Sequence, residues 1–371
     1  MKKITITLLL LTFLVVPACT TPQDIQETNT SYEYTTLYED LASPWGITFV
    51  SDNEALITQK AGTLIHLDIQ EQETTRIEGV PDVADVGQGG LLDVHYDQGY
   101  VYITYSASQN DEHATHLARG QLQNTTINFE TLHVATPFTD GGSHFGSRVI
   151  TQDDYVYYTT GDRGSKDFSE NHVSQDTESY LGKTIRLYKN GSTPQTNPFI
   201  DNESVHDAIY TYGHRNTQGI TIHPETQEIW TSEHGERDGD KLNILRAGKN
   251  YGWPIAHSGC MYGTRIPVSD SEFEKEHIEN PVYVWECTTG GFPPSGMTFY
   301  TGERDEFNQE LFVGNLAGQN LGRFSLQNGE IIQKTPLLKD LEQRIRDVEQ
   351  SPDGKLYVIT DSGQFIHITY K

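Results

Sequence analysis

Residues 45–59 of the chain, WGITFVSDNEALITQ, form two apolar segments of strand length on either side of the turn residues Ser51, Asp52 and Asn53. Side chains with a period of two flanking a short polar turn are typical of a β-hairpin. The same pattern returns in residues 91–105 (LLDVHYDQGYVYITY), 148–160 (RVITQDDYVYYTT), 219–232 (GITIHPETQEIWTS), 297–314 and 346–360 (RDVEQSPDGKLYVIT). A repeated unit of this size cannot bury its apolar face alone, so neighbouring units must stack. Six units predict a closed ring, an all-β six-bladed β-propeller whose central channel can hold a ligand.

The composition agrees with one large β domain. Val, Ile, Thr and Tyr are concentrated in the repeats, and these residues favour strands over helices. The formal net charge of −26 argues against nucleic acid and anionic lipid surfaces as partners, because both carry negative charge themselves.

The N-terminus has the features of an export signal. Lys2 and Lys3 precede an apolar segment over residues 8–16, which is too short for a membrane span. The following VPAC indicates a lipoprotein-type signal peptide over residues 1–19, with lipid placed on Cys19. We expect a flexible tether over 20–33 and the propeller over 34–371. This predicts an exported, periplasmic or cell-envelope protein that touches the membrane only through that lipid.

Two further cysteines, Cys260 and Cys287, would then lie outside the cytoplasm, where disulfides persist. A bridge that closes the loop between them is favoured over metal binding by two thiols alone.

The polar clusters of the sequence lie in the connections between repeats. Gln88 stands among glycines in GQGG, which suits either a tight turn or close approach to a ligand. His144, in GGSHFGSR, is either a proton acceptor open to a ligand or a histidine hydrogen-bonded within its loop. Arg215, Asn216 and Gln218 in YGHRNTQG offer many donors, which favours a ligand with several carbonyl or carboxylate groups.

Arg344 and Arg346 are two residues apart, so on a strand they share one face. Two adjacent guanidinium groups repel unless an anion lies between them. That anion is either a ligand with several carboxylates or a nearby acid in the chain, namely Asp340, Glu342 or Asp347.

Residues 233–240, EHGERDGD, are acidic and rich in glycine. They suit either a hard cation held by carbonyls and carboxylates or a solvated turn. The spacing fits neither an EF-hand loop nor the HExxH pattern of zinc proteases.

Together these clusters resemble the soluble PQQ-dependent aldose sugar dehydrogenases of the glucose/sorbosone dehydrogenase family. The resemblance runs from about residue 44 to residue 362, and its strength lies in the order and spacing of many short motifs. These motifs are PWGITF, QGGLLDV, HFGSRV, TTGDRG, YGHRNTQGI, SEHG, GKNYGWP, SGMTFYTGE, LFVGNLAG, QRIRDV and SPDGKLYVITD. The resemblance implies a six-bladed propeller that uses pyrroloquinoline quinone (PQQ) and Ca²⁺.

The resemblance also implies roles for individual residues. His144 matches the base that removes the proton of the sugar's anomeric hydroxyl, while a hydride passes from the same carbon to the quinone. Arg215 matches the group that polarises the quinone carbonyl. The backbone carbonyls of Gly235 and Glu236 match the ligands of the catalytic calcium. The matched cofactor contacts are Gln88, Asn216, Gln218, Arg344 and Arg346.

The chain departs from the family pattern at several positions. Ala317 stands where some members have a cofactor-binding lysine, and Ser143 replaces a polar or acidic neighbour of the base. Lys241 stands where relatives often have a glutamate that binds a second, structural calcium together with Tyr251. Because a lysine repels a divalent cation, the sequence argues against a normal second site. Asp162, in GDRG, matches a supporting residue without a firm role.

The predicted activity is oxidation of the C1 hydroxyl of aldoses to lactones, with an electron acceptor that the sequence does not name. Two alternatives stay open at this point, because fold alone does not separate them. One is a calcium-dependent propeller lactonase, which needs carboxylates and an Asn converging on an axial metal. The other is a propeller that binds a ligand without catalysis.

Overall fold

The structure, a computed structural model, describes residues 32–269, 277–302 and 309–370. The predicted signal peptide, Cys19 and most of the predicted tether lie outside the described residues. The first strand begins at Tyr32, so Tyr32 and Glu33 belong to the propeller and not to the tether. Within the described ranges, no helix has the length and hydropathy that a membrane span requires.

The strands form six antiparallel sheets, which are the blades of a propeller, so the predicted fold class is confirmed. Each blade runs outward from an inner strand. The first three blades consist of β2 (Pro44–Ser51), β3 (Glu54–Gln59), β4 (Thr63–Asp68) and β5 (Glu73–Ile77) in blade 1; β6 (Leu91–Asp97), β7 (Tyr100–Gln109), β8 (Glu112–Gln123), the short β9 (Thr126–Ile127) and β10 (Glu130–Val134) in blade 2; and β11 (Val149–Gln152), β12 (Tyr155–Thr159), β13 (Lys183–Tyr188) and β14 (Ile209–Tyr212) in blade 3.

The other three blades follow the same plan, and blade 6 takes its outermost strand from the N-terminus. They consist of β15 (Thr217–Ile222), β16 (Ile229–Glu233), β17 (Lys241–Ile244) and β18 (Tyr283–Val284) in blade 4; β19 (Pro294–Phe299), β20 (Leu311–Asn315), β21 (Asn320–Gln327) and β22 (Glu330–Leu337) in blade 5; and β23 (Ile345–Gln350), β24 (Leu356–Thr360), β25 (Phe365–Tyr370) and β1 (Tyr32–Tyr38) in blade 6. Lys339–Leu341 form a 3-10 helix between β22 and β23.

The six sequence repeats correspond to the two inner strands of the six blades. These strands are buried on both faces, so their apolar pattern is strong; all five residues of β24 are buried, for example. The outermost strands gave no comparable pattern because many of their residues are exposed or only half-buried. In β5, four of the five residues are exposed.

Among the described residues, six apolar clusters lie between neighbouring blades, one at each interface. A seventh, smaller cluster contains Trp45, Leu92 and Phe145. The alternation along β24 shows how one strand serves two clusters. Tyr357 and Ile359 pack towards blade 1, whereas Leu356 and Val358 pack towards blade 5. Each blade is therefore stabilised from both sides. Burial of apolar surface contributes about 25 cal/mol per Å² to the free energy of unfolding, and most of that surface is buried only when the blades pack together.

The ring is closed by pairing of the two chain ends. β1 pairs with β25 in antiparallel register, with Tyr32 opposite Tyr370 and Thr35 opposite His367. The chain enters each blade at its inner strand, so the start of that strand and the end of the second strand lie at the same end of the channel. Connections at these two positions therefore meet around one mouth of the propeller.

Candidate active site

One cavity of about 290 Å³ opens at this mouth of the channel. All seven side chains predicted to act in catalysis or cofactor binding line it: Gln88, His144, Arg215, Asn216, Gln218, Arg344 and Arg346. No Asp or Glu of the described residues is part of the lining, and this leaves a site rich in donors and positive charge.

The loop that carries His144 is held in an unusual conformation. His144 has a φ of 49°, in the left-handed region that side chains other than glycine rarely adopt. Gln88 fixes this conformation, because its Oε1 accepts the backbone N–H of His144 at 2.8 Å. Gly87 makes the approach possible: its φ is 57°, and a Cβ there would lie 2.3 Å from the carbonyl oxygen of Gly142. The glycines around Gln88 are therefore needed for both a tight turn and a close approach.

His144 forms a dyad with Asp162, whose role the sequence left unassigned. Nδ1 of His144 lies 2.6 Å from Oδ1 of Asp162, whose side chain is fully buried. Burial alone would raise the pKa of Asp162, but the hydrogen bond to His144 and the charge of Arg215 hold it well below its usual value. A carboxylate only accepts hydrogen bonds, so Nδ1 carries the proton and Nε2 of the neutral ring is left as the acceptor.

Arg215 is buried and is held by two carboxylates of the chain. Glu233 Oε1 accepts its backbone N–H at 2.8 Å, and Glu236 Oε2 lies 2.6 Å from its Nη2. The other oxygen of Glu236 pairs with Lys166 at 2.6 Å. Nε of Arg215 is buried and has no hydrogen-bond partner within the described residues, so one donor of the guanidinium group stays available.

Asn216 and Gln218 support the His144 loop in addition to lining the cavity. Oδ1 of Asn216 accepts the backbone N–H of Gly146 at 3.1 Å, and Nε2 of Gln218 donates to the Gly146 carbonyl at 2.9 Å. The histidine is thus braced from blade 4 as well as from Gln88.

Arg344 and Arg346 share a carboxylate of the chain, Asp361. Nε of Arg344 lies 2.6 Å from its Oδ2, and Nε of Arg346 lies 2.7 Å from its Oδ1. The pair is therefore partly neutralised, and one net positive charge remains beside the cavity.

The three acids named from the sequence as possible partners of these arginines form no ion pair with them in the described part of the chain. Asp340 accepts a hydrogen bond from the hydroxyl of Tyr34 at 2.9 Å, and Asp347 pairs with Arg148 at 2.8 Å. Asp361 follows β24, so it reaches the arginines across the hairpin and not along the sequence.

Arg148 lies next to the cavity without lining it, and its guanidinium carbon is 4.3 Å from the ring centre of Trp45, which is part of the lining. Its Nη1 bridges Asp93 and Asp347 from two other blades at 3.0 and 2.8 Å, and its Nε donates to the carbonyl of Gln218 at 2.7 Å. This network of contacts joins the inner strands of four blades across the channel.

The predicted metal ligands lie next to the cavity. The backbone carbonyls of Gly235 and Glu236 accept no hydrogen bond from a described residue, as expected of oxygens available to a cation. His234, directly before them, lines the cavity, and burial lowers its pKa to about 3, so its ring stays neutral. In the described ranges, no group of three or more His, Cys, Asp or Glu side chains is arranged to hold a metal.

Tyr251, the predicted ligand of a second calcium, does not line the cavity. Nζ of Lys241 donates to the Tyr251 carbonyl at 2.8 Å and lies 3.5 Å from Oε1 of Glu233. The ammonium group thus already supplies a positive charge at this carbonyl.

Cys260 and Cys287 form the expected disulfide, with their Cα atoms 5.3 Å apart. Cys260 also exchanges both backbone hydrogen bonds with Arg237, so the bridge braces the segment that follows Gly235 and Glu236.

Several cavity residues were missed in the sequence. They are Trp45, Lys60, Leu92, Phe145, His234, Tyr262 and Leu316. Lys60 and Leu316 follow the second strand of their blades, as Asp162 and Asp361 do. The rule that the residues after the second strand of each repeat face the cavity would have indicated Lys60 and Leu316. Tyr262 follows no such strand, so no pattern in the sequence indicated it.

The comparisons with known proteins agree with this geometry. The family model described as glucose/sorbosone dehydrogenase matches residues 41–367. The aldose sugar dehydrogenase YliI of Escherichia coli is 34% identical over 348 residues, which cover 90% of this chain and 91% of the relative. The quinoprotein glucose dehydrogenase B of Acinetobacter calcoaceticus is 25% identical over 90% of this chain and 86% of its own. The crystal structure of the soluble aldose sugar dehydrogenase of Escherichia coli in its apo form superposes with a TM-score of 0.85 at 32% identity, covering 92% of this chain and all of the other.

Proposed function

The chain belongs to the glucose/sorbosone dehydrogenase family and is an oxidoreductase that uses PQQ, and from this premise we propose that it oxidises the C1 hydroxyl of aldose sugars to lactones with the help of Ca²⁺. The observation that carries the proposal is the His144–Asp162 dyad, which shares one cavity with Arg215 and the Arg344–Arg346 pair.

His144 is the general base in this proposal. Its Nδ1–H is tied to Asp162, so its Nε2 accepts the proton of the sugar hydroxyl and the ring becomes an imidazolium. The buried carboxylate of Asp162 stabilises that positive charge and fixes the tautomer and the ring orientation.

The residues of the cavity fit a planar ligand with several carboxylates and carbonyls. The unpartnered Nε of Arg215 offers a donor to a ligand carbonyl. Arg344 and Arg346 offer their remaining N–H groups, with one net positive charge, to a ligand carboxylate. When bound, the quinone supplies the two-electron acceptor for the C1 hydrogen of the sugar. Arg215 stabilises negative charge that develops on its side of the cavity, which is commonly worth about 3–4 kcal/mol per preorganised donor.

We propose that Gly235 and Glu236 hold Ca²⁺ through their backbone carbonyls. Carbonyl oxygen is a ligand type that calcium accepts, and neither of these two oxygens has a donor among the described residues. The contact of Lys241 with the Tyr251 carbonyl supports a single calcium in each chain.

The cavity lining argues against the lactonase alternative. A metal-dependent hydrolase needs carboxylates that converge on an axial ion, and the lining of this cavity contains none among the described residues. The His–Asp dyad in turn argues against a propeller that only binds its ligand.

Reconstitution tests the proposal. The full chain, supplied with PQQ and Ca²⁺, should reduce an artificial electron acceptor when glucose or another aldose is added, and the corresponding lactone should accumulate. Protein without the quinone is the control. Hydrolysis of a lactone, with no oxidation of any aldose, would contradict the assignment.

The proposal extends to location. An exported enzyme, attached to the cell envelope through lipid on Cys19, is consistent with the N-terminal sequence. Labelling of the wild-type chain with a radioactive fatty acid, absent in a Cys19→Ser variant, would support the lipid anchor.

A further inference from the structure

The side chain of Trp253 contacts both Asp162, the hydrogen-bond partner of the proposed base His144, and Arg215. Its Nε1–H donates to Oδ2 of Asp162 at 2.8 Å, and the guanidinium carbon of Arg215 lies 5.2 Å from the centre of its ring. We propose that Trp253 is a positioning residue that tunes the basicity of His144 through Asp162 and holds Arg215 in place relative to that base. The catalytic meaning rests on the proposed function, whereas the contacts themselves do not.

The indole is fixed in place by its surroundings. Trp253 is fully buried. Its backbone N–H donates to Gly213 at 2.9 Å, and its carbonyl accepts Nε2 of Gln175 at 2.6 Å. The rings of His172 and His257 pack edge-on against it, with centroids 5.9 and 4.7 Å away. Because Gly213 begins the short loop that carries Arg215, the backbone of Trp253 is also tied to the Arg215 side of the site.

The hydrogen bond to Asp162 controls how much negative charge faces His144. Oδ1 of Asp162 accepts from His144 and from the backbone N–H of Gly164 at 2.9 Å. Oδ2 accepts the indole N–H and lies 3.5 Å from Nε2 of the buried His172. Each donor draws charge away from the carboxylate. If the indole N–H is removed, the pKa of Asp162 rises, more charge falls on the bond to His144, and the ring holds an added proton more tightly.

The variant Trp253→Phe keeps an aromatic ring and removes the donor. Because hydrogen bonds to charged groups are strong, we expect the acid limb of the pH profile of kcat/KM to move to higher pH by about half to one unit. Activity below that limb then falls about three- to tenfold, with little change in KM for the sugar.

Trp230→Phe is the matched control. Trp230 is also buried, and its Nε1 has no hydrogen-bond partner among the described residues, so the same substitution removes no bond. A Trp253→Phe profile that coincides with that of Trp230→Phe would overturn the proposal.

A second measurement does not depend on sugar oxidation. In the full chain without cofactor, the His144 Nδ1–H in its short bond to Asp162 should give a downfield proton NMR signal, identified by its loss in His144→Ala. We expect this signal to move further downfield in Trp253→Phe and to stay in place in Trp230→Phe. If the signal does not move in Trp253→Phe, the link from Trp253 to His144 through Asp162 is refuted, even if the enzyme is active. If the signal moves but the wild-type protein oxidises no sugar, the proposed function fails and the link stands.

Should Trp253→Phe fail to fold, the indole can be replaced by benzothiophene, which has the same shape and no N–H. The expected shift of the proton signal is the same, and its absence has the same meaning.

Discussion

At the scale of single residues, the site is defined by which hydrogen-bonding atoms have a partner. Both oxygens of Asp162 accept hydrogen bonds from groups of the chain, so the carboxylate stays ionised and orients His144. Nε of Arg215 and the carbonyls of Gly235 and Glu236 have no hydrogen-bond partner among the described residues, and these are the atoms that a cofactor and a cation would use. The resemblance of the sequence predicted His144, Arg215 and the two carbonyls, whereas the role of Asp162 and the unpartnered Nε of Arg215 follow only from the contacts.

The general base can be tested at the same scale. His144→Ala should bind the quinone about as well as the wild type but lose roughly 10²–10⁴-fold in kcat, because a positioned base contributes about this much. Cofactor binding is followed by titration of the absorbance of the quinone, and turnover by reduction of an artificial acceptor. His66→Ala, on the outer part of blade 1 where His66 pairs with Glu54, is the control and should retain full activity. Equal turnover in both variants would remove His144 from the mechanism.

At the scale of elements, a positional rule accounts for most of the site. Residues just before an inner strand, such as His144 before β11 and Arg344 before β23, meet residues just after a second strand, such as Asp162 after β12 and Asp361 after β24. In the hairpin of β16 and β17, Glu233 lies opposite Lys241 in the antiparallel pairing. This ion pair lies at the base of the loop that contains Gly235 and Glu236.

This hairpin should make stability depend on pH. Burial would raise the pKa of Glu233, but the charges of Lys241 and His214 lower it to about 2, from a usual value of 4.5. Glu233 is therefore ionised in the folded protein, and its contribution is present above pH 4.5 and lost as the pH falls towards 2. By linkage this amounts to about 3 kcal/mol of the free energy of unfolding.

Urea unfolding at pH 7, 4.5 and 3 measures this effect. The wild type should lose stability between the two lower values more steeply than Glu233→Gln, which is less stable at pH 7 because Lys241 loses its partner. Glu228→Gln, which alters a more exposed pair with Arg246, should keep the wild-type slope. A wild-type slope in Glu233→Gln would mean that this carboxyl does not titrate as described.

At the scale of the whole molecule, the fold depends on closing the ring. Blade 6 takes its outermost strand from the N-terminus, and this strand packs on both neighbouring interfaces. Tyr32 and Tyr34 pack against the cluster shared with blade 5, and Leu37 and Tyr38 against the cluster shared with blade 1. β1 also ties blade 6 to the end of blade 5, because the hydroxyl of Tyr32 accepts the backbone N–H of Leu338 at 2.7 Å. Ring closure keeps the six connections around one mouth, which the cavity requires.

A truncation tests this closure. A chain that begins at Glu39 lacks β1 and should lose on the order of 4 kcal/mol of unfolding free energy, from lost ladder bonds and half-buried side chains. A chain that begins at Tyr32 is the matched control and should unfold like the full chain. Both are compared by urea unfolding monitored by tryptophan fluorescence, and coincident curves would show that β1 does not close the ring.

The sequence by itself determined the number of blades and predicted seven of the sixteen described residues that line the cavity. Inner strands are buried on both faces and must be apolar with a period of two, and functional side chains in short connections stand out as polar clusters among glycines. The tertiary structure alone decided the partners. Asp361 for the two arginines, Asp162 with Trp253 for His144, and Lys241 for the Tyr251 carbonyl are contacts between segments far apart in the chain or across a hairpin. Such contacts leave no local periodicity, because they depend on where the closed ring brings the strand ends together.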